Sequence, residues 1–82
     1  MKVILVLQRG WVVVGDLTEE TETKVRLTNA SVVRRWGTKR GLGQLALEGQ
    51  QPNTVLDPCG VLEAHPLGIV LRIPVEADKW SS

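Results

Sequence analysis

Three residues around Pro58 form the only close set of side chains in the sequence that suits metal binding or catalysis. These are Asp57, Cys59 and His65. A zinc site needs three or four ligands in tetrahedral reach, and a cysteine nucleophile needs a base beside it. The chain has one Cys and one His, each next to a proline, and their spacing fits no recognised site. We therefore predict a buried structural Cys, a turn His, no metal, no cofactor and no enzymatic activity.

Residues 34–40 have the side chains that bind nucleic acid. Their sequence, RRWGTKR, places four basic residues around one tryptophan. Guanidinium and ammonium groups neutralise phosphates, and an indole ring stacks on a base with about 1–3 kcal/mol per base. The segment therefore predicts binding of RNA or single-stranded DNA through a basic loop. The candidate contacts are Arg34, Arg35, Trp36, Lys39 and Arg40.

A second interpretation of the same segment remains open. The chain has no Phe or Tyr, so Trp36 is a candidate to close the end of the core, because large aromatic side chains contribute much of a small core's burial. The arginines then pair with Glu19, Glu20 or Glu22. In that case the protein is a structural or protein–protein interaction module without a nucleic-acid ligand.

The distribution of charge fits either interpretation. Residues 23–47 contain six basic residues and no acidic residue, whereas the rest of the chain contains four basic and nine acidic residues. A chain divided in this way presents a basic face to phosphate, to an acidic partner or to the acidic face of another copy.

Length and periodicity predict one small domain, mainly β. The 82 residues allow a single core, and residues 23–28 and 69–75 alternate between core and solvent residue types, as strands do. Because Pro74 lacks an N–H group, its strand is predicted to be an edge strand or to end there. Residues 41–48 break the alternation and predict a short helix, with Gly49 at its C-terminus. The predicted fold is a small, strongly bent antiparallel barrel over residues 1–77, with this helical insertion and a tail over residues 78–82.

The first two predicted strands are apolar on both faces, over residues 3–7 and 11–14. A strand of this kind needs cover on both faces, and one small barrel has a single interior. The second cover must come from the chain's own loop or from another subunit. We favour another subunit, because small domains often recover burial by assembling. The sequence thus predicts a homo-oligomer, and the candidate interface residues are Ile4, Val6, Val12, Val14 and Val70.

Two stretches resemble the two motifs of the Sm-like (LSm, Hfq-like) family. The run VILVLQRGWVVVGDLTEETETKVRLTN is similar to the first motif, with Gly10 as the turn glycine and a Gly-x-Leu beginning at Gly15. The run GVLEAHPLGIVLRIPV is similar to the second motif, two strands joined by a turn over residues 65–68. The resemblance implies an Sm-like or SH3-like barrel, a ring-like assembly and RNA as a ligand.

The resemblance does not extend to every residue of the family's RNA site. The family's RNA-contacting Asp and Asn fall near Glu20 and Lys24, and its Arg-Gly falls near Leu67 and Gly68. Residues 34–58 form a long insertion relative to the family's usual connection. The middle of the chain, from Ser31 to Pro58, also resembles small phage and mobile-element proteins to which no activity is attached.

Composition also predicts a compartment. One cysteine excludes an internal disulfide framework, which favours the cytoplasm. The longest apolar runs are far shorter than the roughly 20 residues that span a bilayer. We therefore expect a cytoplasmic protein that does not bind membranes.

Overall fold

The computed structural model describes residues 1–80. Within this range it contains five strands, one α-helix and three single turns of 3₁₀-helix. The strands are β1 (Lys2–Leu7), β2 (Val12–Glu20), β3 (Val25–Arg35), β4 (Val55–Ala64) and β5 (Ile69–Pro74), and the helix is α1 (Leu42–Glu48). The 3₁₀ turns are Gln8–Gly10, Pro66–Gly68 and Ala77–Lys79.

All five strands belong to one antiparallel sheet in the order β4-β3-β2-β1-β5. The predicted fold class, mainly β with a single short helix, is confirmed. β4 and β5 are the two edges of the sheet and do not pair with each other. Pro74 is the last residue of edge strand β5, as predicted from its missing N–H group.

The sheet bends strongly at Gly15, the first residue of the Gly-x-Leu noted in the sequence. The pairing of β2 with β3 shifts register between Val14 and Asp16, which is the signature of a β-bulge. A Cβ at Gly15 would lie 3.1 Å from the Cβ atoms of Ala30 and Leu27. Glycine therefore allows β2 and β3 to approach each other closely at the bend.

The curvature brings the end of β2 over the edge of the sheet. Arg72 on β5 donates two hydrogen bonds to the Glu20 carboxylate, at 3.1 and 2.6 Å, although β1 lies between β2 and β5 in the sheet. Inside the curve lies one core, whose fully buried members are Val3, Leu5, Val13, Val25, Leu27 and Ala30.

The opposite, outer face of the sheet is covered by the chain itself. Its buried residues Ile4, Val12, Val14 and Val33 pack with Leu45 and Ala46 of α1 and with Trp80. The Trp80 Nε1–H donates to the Leu45 carbonyl at 2.9 Å, and the Glu76 N–H donates to the Ala46 carbonyl at 2.8 Å. The helix and the segment after β5 together form this cover.

This cover corrects the predicted oligomer interface. Ile4, Val12 and Val14 are almost completely buried and offer no surface to a neighbouring copy, while Val6 is half-buried against the same outer-face cluster. The reasoning that both faces need cover holds, but α1 and Trp80 supply it. Of the five predicted interface residues, only Val70, 68% exposed on β5, is open to a partner.

The predicted tail over residues 78–82 is also corrected. Asp78 and Lys79 belong to a 3₁₀ turn, and Trp80 is buried in the outer-face cluster. These residues are part of the folded domain, because they complete the cover of the sheet. The rest of the predicted tail, Ser81 and Ser82, lies outside the described residues.

The helix agrees with its prediction, whereas two strands are longer than expected. α1 is followed by Gly49 with φ 86°, a conformation that glycine adopts at low cost. Asn29 and residues 58–60 are of types typical of turns, yet they lie inside β3 and β4. The pairing of β3 with β4 shifts register at both places, so these residues form bulges within the strands. Bulges and turns favour the same residue types.

Candidate nucleic-acid interface

The three candidate metal or catalytic residues do not form a site together. Cys59 is exposed, not buried as predicted, and its Sγ lies 3.5 Å from the Ala30 carbonyl. His65 precedes a 3₁₀ turn, where its Nδ1 accepts the Leu67 N–H at 3.1 Å. Asp57 pairs with Arg34. Within residues 1–80, no three His, Cys, Asp or Glu side chains are placed to hold a metal ion.

The basic segment, residues 34–40, begins where β3 leaves the sheet and leads into α1. Its backbone is held from both sides. The Thr54 hydroxyl donates to the Trp36 carbonyl at 2.6 Å, and the Gln44 side-chain oxygen accepts the N–H groups of Lys39 and Arg40 at 3.0 and 2.9 Å. The backbone contacts therefore fix the loop, while its long side chains remain at the surface.

Gly37 fits this loop tightly against the residues that precede β4. Its φ is +66°, and a Cβ there would overlap the backbone of Asn53 and Thr54. Any other residue would have to displace that backbone or adopt a strained conformation. Gly37 therefore fixes the path of the backbone directly after Trp36.

Two of the four basic side chains are held by acids of the same domain. The Arg34 guanidinium donates to both carboxylate oxygens of Asp57 on β4, at 2.9 and 3.2 Å. Arg40 pairs with Glu48 at the end of α1. These partners differ from the predicted Glu19, Glu20 and Glu22, and they attach the two ends of the basic segment to neighbouring elements.

The side chains between those two arginines face solvent. Arg35 and Lys39 are exposed, and within the described part of the chain no carboxylate lies within ion-pair distance of either. Trp36 is 42% exposed, so it does not close the core as the second interpretation requires. An accessible indole ring therefore lies, in the sequence, between two accessible cations.

Two of the three acids expected to neutralise this segment, Glu19 and Glu20, pair with basic residues elsewhere, and so does Glu63. Glu19 lies 3.4 Å from the Lys24 ammonium, and Glu63 accepts two hydrogen bonds from Arg26, at 2.9 and 2.7 Å. The Arg26 hydrogen bond lowers the pKa of Glu63 below its ordinary value. In the same way, the hydrogen bond from Arg72 lowers the pKa of Glu20.

A second exposed tryptophan, Trp11, lies at the same end of the sheet. The sequence suggests a place for it in the core or at a subunit boundary, yet it is 58% exposed. Arg9, two residues earlier, is also exposed. The repetition of a basic residue and glycine beside a tryptophan, in RGW and RRWG, is the sequence signal that links the two places.

No helix within residues 1–80 has both the length and the apolar content needed to cross a bilayer. A scan against protein-family models finds no match to this chain, and a search of curated proteins finds no significant relative.

Proposed function

We propose that the protein is a non-enzymatic module that binds RNA or single-stranded DNA. Arg35 and Lys39 contact phosphates, and Trp36 stacks on a base. The observation that carries this proposal is the 42% exposed Trp36 ring between two cations that have no acidic partner in the described chain. Stacking and phosphate neutralisation are the two contributions that single-stranded sites combine.

In this proposal Arg34 and Arg40 are positioning residues. Each forms an ion pair with a carboxylate on an adjacent element, so its charge is largely balanced within the protein. The ordered loop between them supports single-strand binding, because a fixed loop loses little conformational entropy when a ligand binds. A base must also be unpaired to stack on Trp36, which favours single strands over duplexes.

We also propose that copies of the chain assemble through the two sheet edges. β4 and β5 are unpaired along their outer sides, and each exposes apolar side chains, Val61 on β4 and Val70 and Leu71 on β5. Pairing β4 of one copy with β5 of the next would continue the sheet and remove both edges, which otherwise invite aggregation. A ring of the Sm-like type is one closed form of this assembly.

Assembly would strengthen weak nucleic-acid contacts. Each copy contributes one basic loop, and a strand that touches several loops gains affinity by avidity without any new contact. The competing function is a protein–protein interaction module that uses the same exposed edges, and the exposure of Val61, Val70 and Leu71 is the observation in its favour. The two functions predict different responses to salt and to oligonucleotides.

The first test measures fluorescence anisotropy of labelled dT20 and U20 as salt rises. Release of counterions from about two phosphate contacts gives a slope of roughly −1.4 in log affinity against log salt, so binding should weaken about sevenfold between 50 and 200 mM salt. The variant Arg35→Gln/Lys39→Gln should bind at least tenfold more weakly and show a flatter salt slope.

The matched control is Lys24→Gln/Arg26→Gln, which removes the same charge from cations that already have acidic partners. Its affinity should stay within about twofold of the wild type, because these residues lie at the opposite end of β3 from the basic segment and salt screens exposed charges beyond about 10 Å. A wild-type protein that binds neither oligonucleotide at low salt, beside a working positive control, excludes the nucleic-acid function.

The assembly is tested separately by the solution mass. Light scattering should give a multiple of the 9.0 kDa chain, and Val70→Lys should lower that mass, since a charge on the edge strand opposes pairing. A wild-type mass of one chain at all concentrations excludes the oligomer and leaves the nucleic-acid proposal standing on the single basic loop.

A further inference from the structure

We infer that Trp11 and Arg9 form a second contact for the same nucleic-acid strand, so that the strand crosses the end of the sheet and stacks on two tryptophans. This inference rests on the proposed function, because it adds a second contact to the site at Trp36. It goes further in naming a ligand that must be long enough to reach both indole rings.

The sheet register places the two contacts at the same end of neighbouring strands. Val13 of β2 pairs with Val32 of β3. Trp11 lies two residues before Val13 and Arg34 two residues after Val32, so both lie at this end of the strand pair. Paired strands lie about 5 Å apart, and Trp36 follows Arg34 by only two residues. The two tryptophans therefore leave neighbouring strands at the same end of the sheet.

The exposure of Trp11 is not explained by packing. The ring is 58% exposed, more than Trp36, whereas Trp80 shows that this domain can bury an indole ring and satisfy its N–H group. An accessible indole ring beside accessible cations has the composition of a single-strand binding site, which combines stacking aromatic side chains with basic residues. The Trp11 ring provides a second platform for stacking.

Arg9 supplies a cation next to this ring. It is exposed, and among residues 1–80 no carboxylate lies within ion-pair distance of it. Its φ is 67°, in the left-handed region where a non-glycine residue is strained. The chain thus keeps an arginine at a position where glycine would cost less backbone energy, and such positions occur often at binding sites.

The charges at this end favour a nucleic acid over an apolar protein partner. Arg9, Arg35 and Lys39 are accessible, and the nearby acid Asp57 is already paired with Arg34. A ligand that offers repeated negative charges and flat rings would satisfy both the cations and the indoles. Single-stranded nucleic acid has this chemistry.

The decisive test uses tryptophan fluorescence in a Trp36→Phe background, with dT20 as the ligand. In that variant the accessible indole is Trp11, since Trp80 is buried. Binding of dT20 should quench the emission, and the double variant Trp11→Phe/Trp36→Phe should show no quenching. In the otherwise wild-type protein, Trp11→Ala should weaken binding about 5- to 150-fold, while Trp11→Phe keeps most of the affinity.

Leu67→Ala is the control, because Leu67 is 83% exposed and precedes β5. If Trp36→Ala weakens binding but Trp11→Ala matches Leu67→Ala, the second contact is excluded and the proposed function stands. If Trp11→Ala instead lowers the solution mass and leaves affinity per chain unchanged, Trp11 belongs to a protein interface and the inference is wrong. If the wild type binds neither dT20 nor U20, both proposals are wrong.

Discussion

The two ends of the bent sheet carry similar basic side chains, which are paired with acids at one end and partly unpaired at the other. At the paired end, around the turn between β2 and β3, Glu19, Glu20 and Glu63 all contact basic side chains. At the open end, which contains residues 9–11 and the basic segment, Arg35 and Lys39 have no acidic partner in the described chain. The comparison teaches that the placement of acids, and not the number of bases, decides which charges are free for a ligand.

The bend at Gly15 creates the paired end, because it brings Glu20 over Arg72. Replacing Gly15 with valine should destabilise the fold by about 1–3 kcal/mol, the usual cost of overpacking a core. The reason is the 3.1 Å approach of Ala30 and Leu27 to the Cβ position. Urea unfolding followed by circular dichroism measures this change.

Gly43→Ala is the matched control for that variant. No atom lies within 4 Å of a Cβ at Gly43, and α1 should gain about 0.5–1 kcal/mol from the better helix former. Equal free energies of unfolding for Gly15→Val and the wild type would mean that the bend does not depend on glycine.

Arg9 allows the binding and folding roles of the open end to be separated. Arg9→Gly should raise the free energy of unfolding by up to about 1 kcal/mol, because glycine adopts a positive φ without strain. The same change should weaken dT20 binding and reduce the magnitude of the salt slope, since one phosphate contact is lost. Thermal unfolding and the anisotropy titration measure the two effects. Reduced stability with unchanged binding would assign Arg9 a purely structural role.

The ion pairs at the paired end should have the smallest effect on stability, and this effect should disappear in acid. The pKa values of Glu20 and Glu63 are lowered by hydrogen bonds from Arg72 and Arg26, so both pairs stabilise the fold above the ordinary carboxyl pKa of 4.5. This stabilisation is lost as the pH falls through the lowered values. The melting temperature of Glu20→Gln/Glu63→Gln should be slightly below that of the wild type at pH 7, and the difference should narrow below about pH 4.5.

Glu22→Gln/Glu76→Gln is the charge-matched control for the acid experiment. Both carboxylates are exposed, and neither forms an ion pair within residues 1–80. Its melting temperature should therefore follow that of the wild type more closely than that of the first variant. A gap between the wild type and Glu20→Gln/Glu63→Gln that widens in acid would contradict the assignment of the two pairs.

The sequence predicts those parts of the fold that depend on local patterns. Alternation locates the strands, the interruption at residues 41–48 locates α1, and Gly15 marks the bend. The cover of the outer face was not predictable in the same way. Both faces of β1 are visibly apolar, but Trp80 stands alone in a polar stretch and has no periodic partner to indicate where it packs.

The candidate site was predictable only as a segment. The composition of residues 34–40 identifies it, yet the acids that hold Arg34 and Arg40 come from β4 and α1, and only the folded chain brings them together. Cys59 is exposed for a similar reason. Residues 58–60, interpreted as a turn, lie on an edge strand, and its outer side has no neighbouring strand to cover it.

Trp80 has a consequence for how the molecule is made. The residues it helps to cover, Ile4, Val12 and Val14, are synthesised more than sixty residues before the Trp80 side chain that completes their cover. Until Trp80 is synthesised, the outer face of the nascent sheet exposes apolar residues to which chaperones or another copy of the chain can bind. Contacts between residues so distant in the sequence also slow folding. Slow folding lengthens the interval in which α1 of one chain can pack on the sheet of another.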